Sequence, residues 1–331
     1  MPIPFLIAGA ALIAGGYGVK KAVDASNDRE AASDNRFKAN QLVDTAQESV
    51  ENIRVETNNS LEKLGVAKLN AYENAIIPFV NSFQRLKNVE LKSFEDKSIH
   101  IPSEAEMKLI YEQASLASAV VTSGVVGLGA GGLAGLAAYG GATLLASAST
   151  GTAISALGGV AATNATLAWF GGGSLAAGGL GMAGGTAVLG GIVAGPVLAI
   201  GGMYLAAKAE AELHESYEIL AKAKTVASEM NLAGERAKYI NTVVTSADRV
   251  LNHLLEVFWP LLSGLEKAVA ASTDFKSHDK QTQTGIMMAV ALVSALSQLL
   301  NQRLMTDSGE VDKVGARVVR ELGQSHGVSS Y

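Results

Sequence analysis

The chain has 331 residues, of which 48% are hydrophobic and 17% charged, with a net charge of −5 and no cysteine. Without cysteine there can be no disulfide framework, Cys-based zinc site or thiol nucleophile. The charge is mild and evenly spread, with no basic block to neutralise phosphates, so no nucleic-acid partner is expected.

Met1 to Val19 reads MPIPFLIAGAALIAGGYGV and is followed by Lys20 and Lys21. A secretory signal carries its positive charges before the apolar run rather than after it. Residues 1–19 are expected to form an uncleaved membrane-associating or marginal transmembrane helix, with a buried core helix or an export signal as the alternatives. Residues 20–112 form a polar, helix-favouring arm. Val43, Val50, Thr57 and Leu64 recur every seven residues there, with Ala46, Ile53, Ser60 and Ala67 in the offset seam. That heptad pattern predicts a long helix packed in a bundle, and Pro78 is expected to kink or end it. After a break near 98–102, Ser103 and Glu106 spell a capping box that starts a new helix.

Residues 113–207 contain no Asp, Glu, Lys, Arg or His, and they hold 24 of the 36 glycines. About a quarter of residues in globular domains are charged, so such a stretch must be buried on nearly every side, in lipid or inside an assembly. Ser123, Gly127, Gly131 and Gly135 lie four apart, as do Ala187, Gly191, Gly195 and Ala199, with Gly181 and Gly185 a further pair. Residues at i and i+4 share a helix face, and small residues there let helix backbones approach closely in lipid. These ten positions are the expected helix-packing and oligomerisation residues. Breaks at 147–151 and 171–174 divide the zone into helical segments over 115–146, 152–170 and 174–206. Tyr139, Trp169, Phe170 and Tyr204 suit the membrane interface if those segments span; they are equally ordinary as core aromatics.

From Lys208 the charges return. A charged helix leads away from the zone, and a second is predicted over about 233–271, carrying Val243, Val244, Val250, Leu251, Leu254, Leu255 and Phe258, with Trp259 just before Pro260. A polar loop at 274–283 precedes the apolar run 286–300, so that 208–301 forms a second helical arm. Residues 302–331 give a short helix and a tail. The expected fold is all-α, with helical arms flanking a glycine-rich apolar membrane domain.

Catalytic signals are thin. Two GxGxxG matches, at Gly127–Gly132 and Gly179–Gly184, lack the acidic residue about 20 positions on that a dinucleotide site needs. His214 and Glu218 share a helix face without a second histidine at ligand spacing. No GxSxG elbow occurs. No catalytic residue, cofactor or metal is expected, and the chain reads as a non-enzyme.

The run from Gly151 to Glu210, with GGYGVKKAVDA near the start and KNVELK at Lys87–Lys92, resembles glycine-zipper membrane-associated proteins of bacteria. GGGSLAAG at Gly171–Gly178 is similar to the Gly/Ala-rich segments of interferon-induced small membrane proteins. The arrangement of long helices around an apolar insert resembles α-helical pore-forming toxins of the cytolysin A type. The first resemblance implies a bacterial source. From the uncharged zone and its glycine rows, an inner-membrane location with a soluble form before insertion is expected, with a bilayer and further copies of the chain as partners. The expected function is insertion, self-association through the glycine rows, and permeabilisation or remodelling of a bilayer by a toxin or defence effector. Two alternatives stand beside it. One is a constitutive inner-membrane scaffold whose arms recruit protein partners. The other is a soluble oligomer with a buried apolar core.

Overall fold

The computed structural model describes residues 15–91, 101–122, 130–140, 213–306 and 309–328. Over these residues the protein is all-α. In chain order they form α1 (Gly15–Ala71), a π turn (Tyr72–Ile76), α2 (Ile77–Phe83), α3 (Glu104–Thr122) and α4 (Ala130–Tyr139). There follow α5 (Leu213–Ala271), a 3₁₀ turn (Phe275–Ser277), α6 (Lys280–Asn301) and α7 (Lys313–Ser325). No strand occurs among the described residues; Lys87 with Asp274 and Met305 with Val311 form isolated bridges.

The predicted heptad of α1 is the face it buries. Val43, Ala46, Val50, Thr57 and Leu64 are buried, while Ile53, Ser60 and Ala67 are half-buried. α5 carries a repeat that the sequence reading missed. Ser216, Ala223, Met230, Ala237, Val244, Leu251, Phe258 and Leu265 fall every seven residues and are all buried. The two helices predicted on either side of residue 233 are thus one continuous helix. It runs through Pro260, which lies on the exposed side.

At Pro78 the backbone widens rather than stopping. The Ile77 N–H reaches back five residues to the Tyr72 carbonyl, and α2 continues to Phe83. Proline brings no N–H and crowds the carbonyl one turn earlier, and a π turn makes room for both effects. The capping box forms as the spacing requires: Ser103 N–H donates to Glu106 Oε2 (2.6 Å) and Glu106 N–H to Ser103 Oγ (3.3 Å).

The chain divides into two compact units. The first comprises Met1–Glu51 and Val193–Ala233. Its described side chains bury a narrow line: Ala32, Asn35, Ala39, Val43, Ala46 and Val50 on α1, and Ser216, Ala223, Val226, Ala227 and Met230 on α5. Asn35 Nδ2 donates to Ser216 Oγ (3.1 Å), and that hydroxyl donates to the Leu213 carbonyl (2.6 Å).

The second unit, Asn52–Ile192 with Gly234–Tyr331, holds the main apolar core. Thr57 Oγ1 reaches the Ala237 carbonyl, Lys63 pairs with Asp248 (2.7 Å), and Lys87 N–H donates to Thr273 O (2.7 Å). Partner numbers rise together, so α1–α2 and α5 run parallel within this unit. At their ends Asn88 takes a left-handed conformation (φ 59°) and its amide bonds Asp274, while Lys276 pairs with Glu90 (2.6 Å). α6 starts beside this turn under an Asp279 N-cap and ends beside Tyr72, antiparallel to α5. Phe79 stacks on Phe83 and tilts against Phe258 at the centre.

Candidate functional site

The boundary set at residue 113 by charge alone falls inside α3, and the first part of the uncharged zone is packed into the second unit. Its most enclosed described piece is α4. Leu133, Gly135, Leu136, Ala137, Ala138 and Tyr139 are all buried. A helix apolar all round is stable only when enclosed, and the second unit encloses this one with specific contacts.

Gly65 makes the first contact. A Cβ there would collide with the Leu133 carbonyl, so only glycine lets α1 come this close to the α4 backbone. One turn on, the Lys68 side chain is fully buried, and its Nζ donates to the carbonyls of Ala137 (3.1 Å) and Leu136 (3.4 Å). The last carbonyls of a helix have no partner within it and carry its negative dipole end, so a cationic or amine donor belongs there. Leu304 and Met305 N–H groups both donate to the Ala138 carbonyl. Tyr139 Oη donates to the Thr306 carbonyl (3.3 Å), and the Arg303 guanidinium lies 5.2 Å from the centre of its ring. Gly140 ends the helix at φ 62°, against the Asn301 carbonyl. The single helix predicted over 115–146 does not run through to its expected end, because α4 closes at this left-handed glycine.

Burial lowers the Lys68 pKa to about 7. Among the described residues no carboxylate is bonded to it, and removal from water alone drives the shift. With no solvent exposure, the amine serves as a helix cap and is closed to a substrate. Beside it, Tyr72 Oη donates to Asn301 Oδ1 (3.0 Å). Burial raises the Tyr72 pKa, with the Asn301 hydrogen bond opposing. Asn301 Nδ2 in turn donates to Gln113 Oε1 (2.5 Å) and to the Ser297 carbonyl (2.7 Å). A polar network thus ties the first residue of the uncharged zone to α6 and the π turn.

Of the expected packing residues, Gly131 and Gly135 lie in α4. Ser123, Gly127, Gly181, Gly185, Ala187, Gly191, Gly195 and Ala199 lie outside the described residues. So do Trp169, Phe170 and Tyr204. Tyr139 is inside the unit, 2% exposed. His214 faces Glu218 at 3.7 Å on an exposed helix side. Among the described residues, no group of three or more potential metal ligands converges. Sequence reasoning missed Gly65, Lys68, Tyr72 and Asn301, and no local signal marks them. Among the described residues one helix, α6, is long and apolar enough to cross a membrane, and more than half of that stretch is buried inside its unit.

Compared with protein-family models, curated proteins and solved structures, the chain matches none.

Proposed function

We propose that this is a non-enzymatic membrane-inserting protein. Its uncharged zone self-associates through the glycine rows and permeabilises or remodels a bilayer, as a toxin or defence effector acting at a bacterial inner membrane. The observation that carries the reading is the run of 95 residues, 113–207, with no ionisable side chain. Such a stretch needs lipid or a protein shell to be stable. The seat of α4 supplies such a shell for one piece of the zone, and its release would precede insertion.

Dye release from liposomes, scored alongside flotation, tests the activity. A lock tests the release step. The Ala138 carbonyl accepts a 2.7 Å hydrogen bond from Leu304 N–H, so the two backbones are close enough to try a disulfide. The chain has no other cysteine to interfere. Ala138→Cys with Leu304→Cys should float without releasing dye when oxidised, and recover release on reduction. Flotation of wild type without release would favour the membrane scaffold. Neither flotation nor release would favour the soluble oligomer. Equal release by the oxidised and reduced pair would remove α4 from the mechanism.

A further inference from the structure

We infer that the cleft bordered by α3, α5, α6 and α7 in the second unit is a binding site for an uncharged single-chain amphiphile, whose polar end accepts a hydrogen bond from the Gln113 amide. The cleft encloses about 660 Å³, within the roughly 300–1,000 Å³ of small-molecule sites. Its mouth leaves large apolar side chains in water: Leu109, Val257 and Met288 are 51%, 44% and 42% exposed. Apolar side chains left unfilled around a hollow mark a binding surface more often than a bare one.

The polar end of the cleft sets the ligand's chemistry. Gln113 lines it, and its Oε1 already accepts from Ser297 Oγ and Asn301 Nδ2. Its Nε2 donors bond to no other described group, so the network presents N–H towards an incoming acceptor. Among the described lining residues there is no lysine or arginine. The charged one is Glu106, whose carboxylate faces the Ser103 N–H at the start of α3. His326 Nδ1 lies 3.0 Å from the Leu322 carbonyl and donates to it, which leaves Nε2 of the neutral ring as an acceptor that a hydroxyl head, but not a carboxylate, can satisfy. A carboxylate or phosphate head would enter without a counter-charge and next to an acidic group, at a desolvation cost. A hydroxyl or ester head would meet the amide donors at no such cost. An apolar tail with a glycerol-type head fits both halves.

The site does not depend on the insertion reading, because binding can be measured without leakage. The test is titration of the full chain with monooleoylglycerol and, separately, with oleate of the same tail. Saturable binding at one glyceride per chain is expected, with oleate at least about ten-fold weaker. Ala295→Trp, which fills the cleft from α6, should weaken glyceride binding about ten-fold or more. Gln113→Leu should weaken it several-fold while leaving the cleft's shape. Met288→Lys at the exposed mouth tolerates the change sterically, and should narrow or reverse the preference over oleate. No saturable binding, oleate binding as tightly as the glyceride, or glyceride binding unchanged in both Ala295→Trp and Met288→Lys would overturn the assignment.

Discussion

α1 and α5 pass through both units, and what they bury changes along the way. In the first unit their inward residues are mostly alanine and valine, with the Asn35–Ser216 hydrogen bond among them. In the second, the same helices bury Leu61, Leu64, Leu251, Leu254, Phe258 and Leu265 across a wider face, joined by α2, α4 and α6. Fully burying a Leu or Phe side chain contributes about 1.5–3 kcal/mol, whereas an alanine contributes one methyl group's worth. One heptad rule therefore yields two kinds of structure: a seam that fixes alignment, and a core that fixes stability.

The largest way to break this comparison is at Phe258, fully buried and in contact with Phe79. Phe258→Ala should cost about 3–5 kcal/mol, read by urea unfolding. Native-state hydrogen exchange sharpens it further. Amides of 39–50 should exchange through local opening, well before those of 243–258. The reverse order would show that the seam, not the core, is the more stable part.

The next effect sits at the seat of α4. Lys68 has a folded pKa of about 7 against an ordinary value of 10.5, lowered by burial. Between those values the unfolded chain holds the proton and the folded chain does not, so stability rises with pH. At about 1.4 kcal/mol per unit, wild type should gain about 2 kcal/mol between pH 7 and 9, and should change little through this group below pH 7. The window stops short of tyrosine ionisation, which matters because Tyr72 is buried and its pKa is raised. Two cations on the surrounding elements are engaged elsewhere: Lys63 with Asp248, and Arg303 with Tyr139 and the Met305 carbonyl. Lys68→Met should flatten the rise. An unchanged slope in that variant would place the titration elsewhere.

What could be read from the sequence divides along similar lines. The all-α class, the α1 heptad and the Ser103–Glu106 box were legible because each depends on residues within a turn or two. Lys68 was not. In KLGVAKLNAY it looks like any solvated lysine, and it becomes buried only because α4 arrives from 68 residues away. Asn301 is the same case, separated from Tyr72 and Gln113 by 229 and 188 residues. The charge boundary at 113 marked composition accurately but not the packing unit, because α3 carries Gln113 into the second unit's polar network. Pro260 falls inside α5, as the predicted helix over 233–271 implies, although an interior proline costs about 3 kcal/mol or more. The heptad of α5 continues past it, from Phe258 to Leu265, and burial on that face outweighs the cost.

The smallest expected effect tests whether the seam aligns more than it stabilises. A buried polar residue at a heptad position costs stability relative to an aliphatic one, and its value lies in fixing register through a specific partner. Asn35 is buried on this seam one place off the Val43 frame, and it plays that part because its amide donates to Ser216 on α5, where a one-heptad slip would leave it facing Ala223. Asn35→Val should therefore stabilise the first unit by about 1 kcal/mol or less, seen as slower exchange over 39–50. Ser216 keeps its bond to the Leu213 carbonyl, so no buried hydroxyl is stranded. The same variant should loosen register. Spin labels at exposed Phe37 and Tyr217 should give one narrow distance in wild type and a broader distribution once the amide is gone. Faster exchange with the distance still narrow would make Asn35 a stabilising contact, and the seam would then differ from the core in degree alone.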